Sequence, residues 1–352
     1  MSDEIKAQIV SPQVDGDQVT FRMRAPKATE VAVVGIEGQS RKLLKKNERG
    51  IWELKLDGLK PELYSYSFEV DGTRVTDPSN RNVKKWLSCN SMFEIKGGLL
   101  HEQKDVPHGD LIEMFYKSSA TKSQRNALVY LPPGYEATKE YPLLFLLHGF
   151  GDDFLAWKEV GRAHFILDNL ISEKKIKPCV VVMPYGHPLP INLRREFDDY
   201  AGSNLEKMNQ DLMGDLLPAI RKKYSVSKAP KDNAIVGLSM GGGQSIEIGL
   251  LNRSSFAKIG GFSSAAPQGA EEQLDVEFKD LLVDTDQTNS KIELFWIGCG
   301  KEDFLFERNN KFVDWLKKKS IKHEYSVTDG GHDWMVWRKY LATFLIKSFP
   351  AQ

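Results

Sequence analysis

Five residues, Gly237-Leu238-Ser239-Met240-Gly241, form a G-x-S-x-G sequence that caps the apolar segment AIVGL and opens a glycine-rich, helix-compatible stretch. A serine in that setting occupies a strained strand-to-helix turn with its hydroxyl above the sheet edge, and bulky residues two positions away on either side would clash with the turn. An alcohol is a weak nucleophile at neutral pH, so Ser239 needs a base, and histidine is the natural choice. Of seven histidines, His332 lies downstream in the glycine-flanked loop DGGHDW, whereas His323 stands at the start of the preceding strand. The imidazole in turn needs a carboxylate to fix its tautomer and stabilise the imidazolium. Asp303, in GCGKEDF after the apolar run ELFWIG, falls between the two in sequence; Glu302, Asp284, Asp286 and Asp329 are its rivals. The order predicts Ser239 as nucleophile, His332 as base and Asp303 as the acid.

A tetrahedral oxyanion needs backbone N–H donors. One is expected from Met240, after the nucleophile. The other is expected from Phe150 in the turn His148-Gly149-Phe150-Gly151, with Gly149 and Gly151 next in line. His148 itself reads as a structural hydrogen-bonder, because His332 fills the imidazole role. Residues 185–210 form a connection longer than ordinary ones, expected to cover the site. His187, Arg194, Arg195, Phe197 and Tyr200 on it, and Trp334 beside His332, are the substrate-contact candidates. No magnesium, zinc or nucleotide signature accompanies them, so no cofactor and no metal are expected.

The elements that must hold these residues change character along the chain. Val19, Phe21, Met23 and Ala25, then Trp52, Leu54 and Leu56, then Tyr64, Tyr66, Phe68 and Val70 alternate with polar residues at the period of half-buried strands. Asp71-Gly72 supplies a hairpin turn, and Asp77-Pro78 ends the last clear strand. Residues 1–98 are therefore expected to form an immunoglobulin-like β-sandwich, and 99–109 a linker. From residue 110 to 352, short apolar strands (127–131, 143–147, 180–183, 234–238, 292–297, 323–327) alternate with amphipathic helices such as Asp211 to Tyr224, which gives an α/β domain with a mostly parallel sheet.

Composition restricts the alternatives. The hydrophobic fraction is 41%, the charged fraction 27%, and 48 basic residues balance 48 acidic ones. That balance gives no footprint for nucleic acid or an anionic membrane. The longest apolar runs are Leu143 to Leu147 and Cys179 to Met183, far short of the ~20 residues that span a bilayer. The start MSDEIKAQIV places acidic residues where an export signal has basic and apolar ones. Cys89, Cys179 and Cys299 are odd in number and widely spaced, against a disulfide framework or a metal site.

Together with YLPPGYE, LLHGFGDD, VVMPYG, GLSMGGGQS and GGHDWMVWR, these motifs resemble the esterase-D-like α/β-hydrolases. Within them the likeness is to the first carbohydrate esterase family, the feruloyl and acetylxylan esterases, and to their siderophore-esterase relatives. The resemblance covers nearly all of residues 110–350. It implies Ser239, Asp303 and His332 as a triad, and a small-molecule or oligosaccharide ester as the partner. Hydrolysis of feruloyl esters of plant polysaccharides is the expected activity, with acetylxylan, siderophore lactones or sugar acyl transfer as alternatives. The N-terminal segments VTFRMRAPKATEVAVVG and GIWELKLDGLKPELYSYSFEVDG are similar to the early-set, glycogen-binding-like sandwich. A glycan-binding protein with a relict hydrolase domain is the alternative from another class, and only Trp52 and Trp86 are there to stack on sugar.

Overall fold

The computed structural model describes residues 9–191 and 200–351. The chain divides into two compact units, one up to Glu102 and one from Gln103, a division that falls within 99–109.

The first unit is all antiparallel. One sheet runs in the order Gln13–Asp15, Gln18–Arg24, Ile51–Leu56, Lys45–Lys46, and the other in the order Lys42–Leu43, Val31–Val34, Glu62–Val70, Cys89–Ile95, Val83–Lys85. Alternation sends Val19 and Phe21 inward to meet Tyr66, Phe68 and Phe93, with Phe21 and Tyr66 ring centroids 4.8 Å apart. Asp71 and Gly72 both have positive φ, as a two-residue hairpin turn requires, and join Glu62–Val70 to Thr73–Val75. Strands continue past Asp77-Pro78. Cys89–Ile95 was hidden because it buries Ser91, Met92 and Phe93 in succession and so does not alternate. Trp52 is buried, its Nε1 donating to Ala25 O at 2.9 Å, while Trp86 is exposed.

The second unit is built on eight strands: β1 (Asp110–Ser118), β2 (Ser123–Leu131), β3 (Leu143–Leu147), β4 (Val180–Pro184), β5 (Asn233–Leu238), β6 (Lys258–Phe262), β7 (Leu294–Gly300) and β8 (Glu324–Thr328). Their spatial order is β1-β2-β4-β3-β5-β6-β7-β8, antiparallel as far as the β2–β4 pair and parallel beyond. β3 and β4 are buried at every residue, which is why they read as unbroken apolar runs. β6, KIGGF, escaped the strand pattern for the opposite reason. A side chain on Gly260 would come within 2.6 Å of the Phe344 ring, so close helix packing selects glycine inside a strand.

Four helices matter to the site: α1 (Tyr200–Asp211), α2 (Ser239–Leu251), α3 (Phe306–Lys318) and α4 (Trp334–Ser348). α1 corrects the expectation of a connection running to residue 210. Its buried positions are Asn204, Met208 and Asp211, two of them polar, so hydropathy could not reveal the helix. It runs through a π-helical turn at Leu212–Leu216 into the helix Leu217–Lys223. Phe197, Arg194 and Arg195 lie outside the described residues. No helix among the described residues is long and apolar enough to cross a membrane.

Candidate active site

β5 ends in the turn that carries Ser239, whose φ of 53° is left-handed and uncommon for a residue with a side chain. Glycine is required around it. A Cβ on Gly237 would lie 2.4 Å from Gly241 O, and one on Gly241 would lie 2.4 Å from His148 O. The loops after β7 and β8 bring Asp303 and His332 to the same end of the sheet. His332 Nε2 is 3.0 Å from Ser239 Oγ, and Nδ1 is 3.0 and 2.9 Å from the two Asp303 carboxylate oxygens. These partners specify one tautomer: Nδ1–H donates to Asp303, and Nε2 accepts from the serine hydroxyl.

Asp303 is buried. Burial opposes its ionisation, but hydrogen bonds from His332, Ser263 and the Leu305 amide outweigh that and hold the carboxyl below its ordinary range. Ser263, itself at φ 44°, accepts from Trp337 Nε1 at 3.1 Å. The Trp337 ring meets the His332 ring edge-on at 4.9 Å. The rivals are engaged elsewhere: Glu302 accepts from the Gly330 amide, Asp329 pairs with Lys301, Asp284 caps the helix Thr285–Ser290, and Asp286 is exposed. Sequence reasoning missed Phe304. Its ring is 75% exposed and 4.4 Å from that of His332; an apolar residue directly after the acid was the available signal.

The loop after β3 abuts Ser239, since a Cβ on Gly149 would be 3.5 Å from that of Ser239. His148 Nδ1–H donates to Gly149 O at 2.8 Å and its Nε2 accepts from the Gly186 amide at 2.8 Å, in keeping with a structural role. The Gly151 amide donates to His187 Nε2 at 3.3 Å, which commits that amide to the protein itself. His187 was expected to touch substrate. It is instead 2% exposed, with Nδ1 at 2.7 Å from the Tyr200 hydroxyl, so it braces the loop from behind. Behind it, Arg125 donates to the His187 and Tyr185 carbonyls and pairs with buried Asp211 at 2.9 Å, which also accepts from Tyr116 at 2.6 Å. Trp334 is likewise a correction: it is buried against Trp157 and Trp337, at 5.0 and 5.3 Å between ring centroids. Tyr200, by contrast, stands on a cavity wall. With Phe150, Met240, Gln244, Glu247 and Arg308 it lines a cavity of about 580 Å³ beside the elbow.

Burial pushes the pKa of His148 down to about 4 and that of His187 down to about 3, Arg125 adding to both. An unfolded chain protonates these histidines near pH 6.5. Below that pH the unfolded state binds more protons until the folded values are reached, so stability falls as pH drops through the window. Each group contributes up to about 1.4 kcal/mol per pH unit. Thermal midpoints measured from pH 7 to pH 4.5 are expected to decline, and less steeply in His148→Gln. An unchanged slope in that variant would exclude His148 as a source.

The comparisons agree with this architecture. The Esterase family model matches residues 118–348, and the model of carbohydrate-binding module 48, the isoamylase N-terminal domain, matches residues 10–86. An endo-1,4-beta-xylanase/feruloyl esterase of Xylanibacter ruminicola is 31% identical over 333 residues, covering 91% of this chain and 43% of the relative. The chain thus spans less than half the length of that protein. Among solved structures, a CE1 ferulic acid esterase of Anaeromyces mucronatus superposes with a TM-score of 0.62 at 22% identity, covering 73% of this chain and 97% of the other. The enterobactin esterase of Shigella flexneri superposes with a TM-score of 0.66 at 19% identity, covering 94% of this chain and 92% of the other. These two likenesses are of fold. The sequence match from residue 118 to residue 348 takes in the elbow and the loops of Asp303 and His332, and by it the protein belongs to the Esterase family.

Proposed function

We propose that the protein is a serine carboxylesterase that cleaves hydroxycinnamoyl esters, feruloyl or similar, of plant polysaccharides through an acyl-enzyme. The observation that carries the reaction class is the unbroken hydrogen-bonded series from Ser239 Oγ through His332 to Asp303. Ser239 Oγ attacks the ester carbonyl carbon while His332 Nε2 accepts the hydroxyl proton. The Met240 and Phe150 amides hold the oxyanion, and Asp303 stabilises the imidazolium through Nδ1–H. Collapse breaks the bond to the alcohol oxygen, which leaves with the proton from Nε2. Water, deprotonated by the same nitrogen, then releases the acid and regenerates Ser239.

The acyl class is supported by Phe150 and Tyr200 on the cavity beside Met240. A planar ring packed on such faces gains about 0.5 to 1.5 kcal/mol beyond its buried area. It is supported further by the likeness to the xylanase/feruloyl esterase. In this reading residues 1–98 are a carbohydrate-binding-module-like domain, joined by residues 99–109 to the esterase domain at 110–352. The test is kcat/KM for methyl ferulate, acetylated xylan and a catecholate siderophore under one condition. Methyl ferulate is expected to be preferred. Preference for acetylated xylan would replace the aromatic acyl group with a small one, and preference for the siderophore would move the enzyme to iron acquisition.

A further inference from the structure

The cavity beside the elbow has a direction. Met240, Gly243, Gln244 and Glu247, all on its lining, are spaced i, i+3, i+4 and i+7 along α2, so one helical face forms its wall. At 1.5 Å per residue, Glu247 lies about 12 Å along the axis from Ser239, and its side chain leans back toward the helix N-terminus. Phe150 and Met240, which carry the proposed oxyanion amides, mark the near end. His332 does not line it. The departing alcohol must meet His332 Nε2 to collect its proton, so an ester held by both groups directs its acyl side into this cavity. An acetyl group cannot span its length, whereas a cinnamoyl group, with ring and vinyl linker, extends well along it.

The far wall carries polar side chains. Gln244 is 3% exposed; its Nε2 donates to Gly186 O at 3.0 Å, and its Oε1 has no hydrogen-bond partner among the described residues. Glu247 hydrogen-bonds Glu277, and burial, then the Glu277 charge, raises its pKa against the opposing charge of Arg308. Arg308 directs Nε and Nη2 to the Ala266 and Ala265 carbonyls.

We propose that Glu247 is the specificity-determining end of the acyl pocket and accepts a hydrogen bond from a phenolic hydroxyl on the acyl ring. This rests on the aromatic-ester reading above. Its test compares kcat/KM for methyl 4-hydroxycinnamate and methyl cinnamate in the wild-type protein, Glu247→Leu and Glu247→Gln, with p-nitrophenyl acetate alongside. A hydrogen bond to the neutral carboxyl oxygen of Glu247 predicts a wild-type preference of about five- to tenfold for the hydroxylated ester. Glu247→Leu is expected to bring the ratio to within about threefold of unity, with Glu247→Gln between. Because the ratio is taken within one preparation, partial misfolding does not imitate the effect, and the near-isosteric Gln variant decides if the Leu variant does not fold. A wild type that cleaves both cinnamates equally, or variants that keep the preference, would overturn the role of Glu247 alone. Turnover of p-nitrophenyl acetate with neither cinnamate cleaved would overturn the aromatic-ester reading itself.

Discussion

Ser239→Ala and His332→Ala are each expected to lower kcat by at least about 10⁴-fold, and the double variant little further, because nucleophile and base act as one unit. Asp303→Asn is expected to lose somewhat less, since the proposed oxyanion amides and the imidazole remain. Burst and steady-state kinetics on a small aryl ester would read all four, with circular dichroism to check folding. The expectation comes from the 3.0 Å separation of His332 Nε2 and Ser239 Oγ and the paired contacts of Nδ1 with Asp303. A well-folded Asp303→Asn of near wild-type rate would move the acid role to another carboxylate. Additive losses in the double variant would break the link between serine and histidine.

Gly241→Ala is expected to cost about 10² in kcat while altering no group that takes part in the reaction. The new methyl would lie 2.4 Å from His148 O and 2.8 Å from Leu147 O, backbone atoms with no rotamer to change. Either α2 or the 148–151 loop has to shift. Met240 is on the first and Phe150 on the second, and a misplacement of about 1 Å in a catalytic arrangement costs roughly 10²-fold. Overpacking is also expected to lower stability by about 1 to 3 kcal/mol. Gly214→Ala is the control, because a Cβ there meets nothing within 4 Å and the residue is exposed. Equal kcat in the two variants would remove the 148–151 loop from the oxyanion site.

The meeting of Ser239, His332 and Asp303 was legible because its demands are local. The elbow needs glycine two residues either side of Ser239, and strand-end loops place Asp303 and His332 in chain order, so short motifs carry most of the information. The sheet was legible where strands are buried on both faces, as in β3 and β4, and obscure where packing selected glycine, as in β6. The substrate side was harder to read. His187 and Trp334 have residue types common in binding sites, but one braces the 148–151 loop and the other fills a tryptophan cluster. Which way a polar or aromatic side chain faces depends on partners distant in sequence. α1 shows the same effect, its inward face being polar because Asp211 meets Arg125 and Tyr116 from β2 and β1.

The left-handed backbone at Ser239 and Ser263 bears on how this protein would respond to selection. A residue with a Cβ held there costs about 1 to 2 kcal/mol relative to one without. Glycine is thus the locally relaxed residue at both positions, yet at 239 it deletes the proposed nucleophile and at 263 it removes the hydroxyl that steadies Asp303. A library screened for heat resistance alone would drift toward glycine at these two sites and fill with inert survivors. One screened for turnover would hold both serines and have to find its added stability in other parts of the chain.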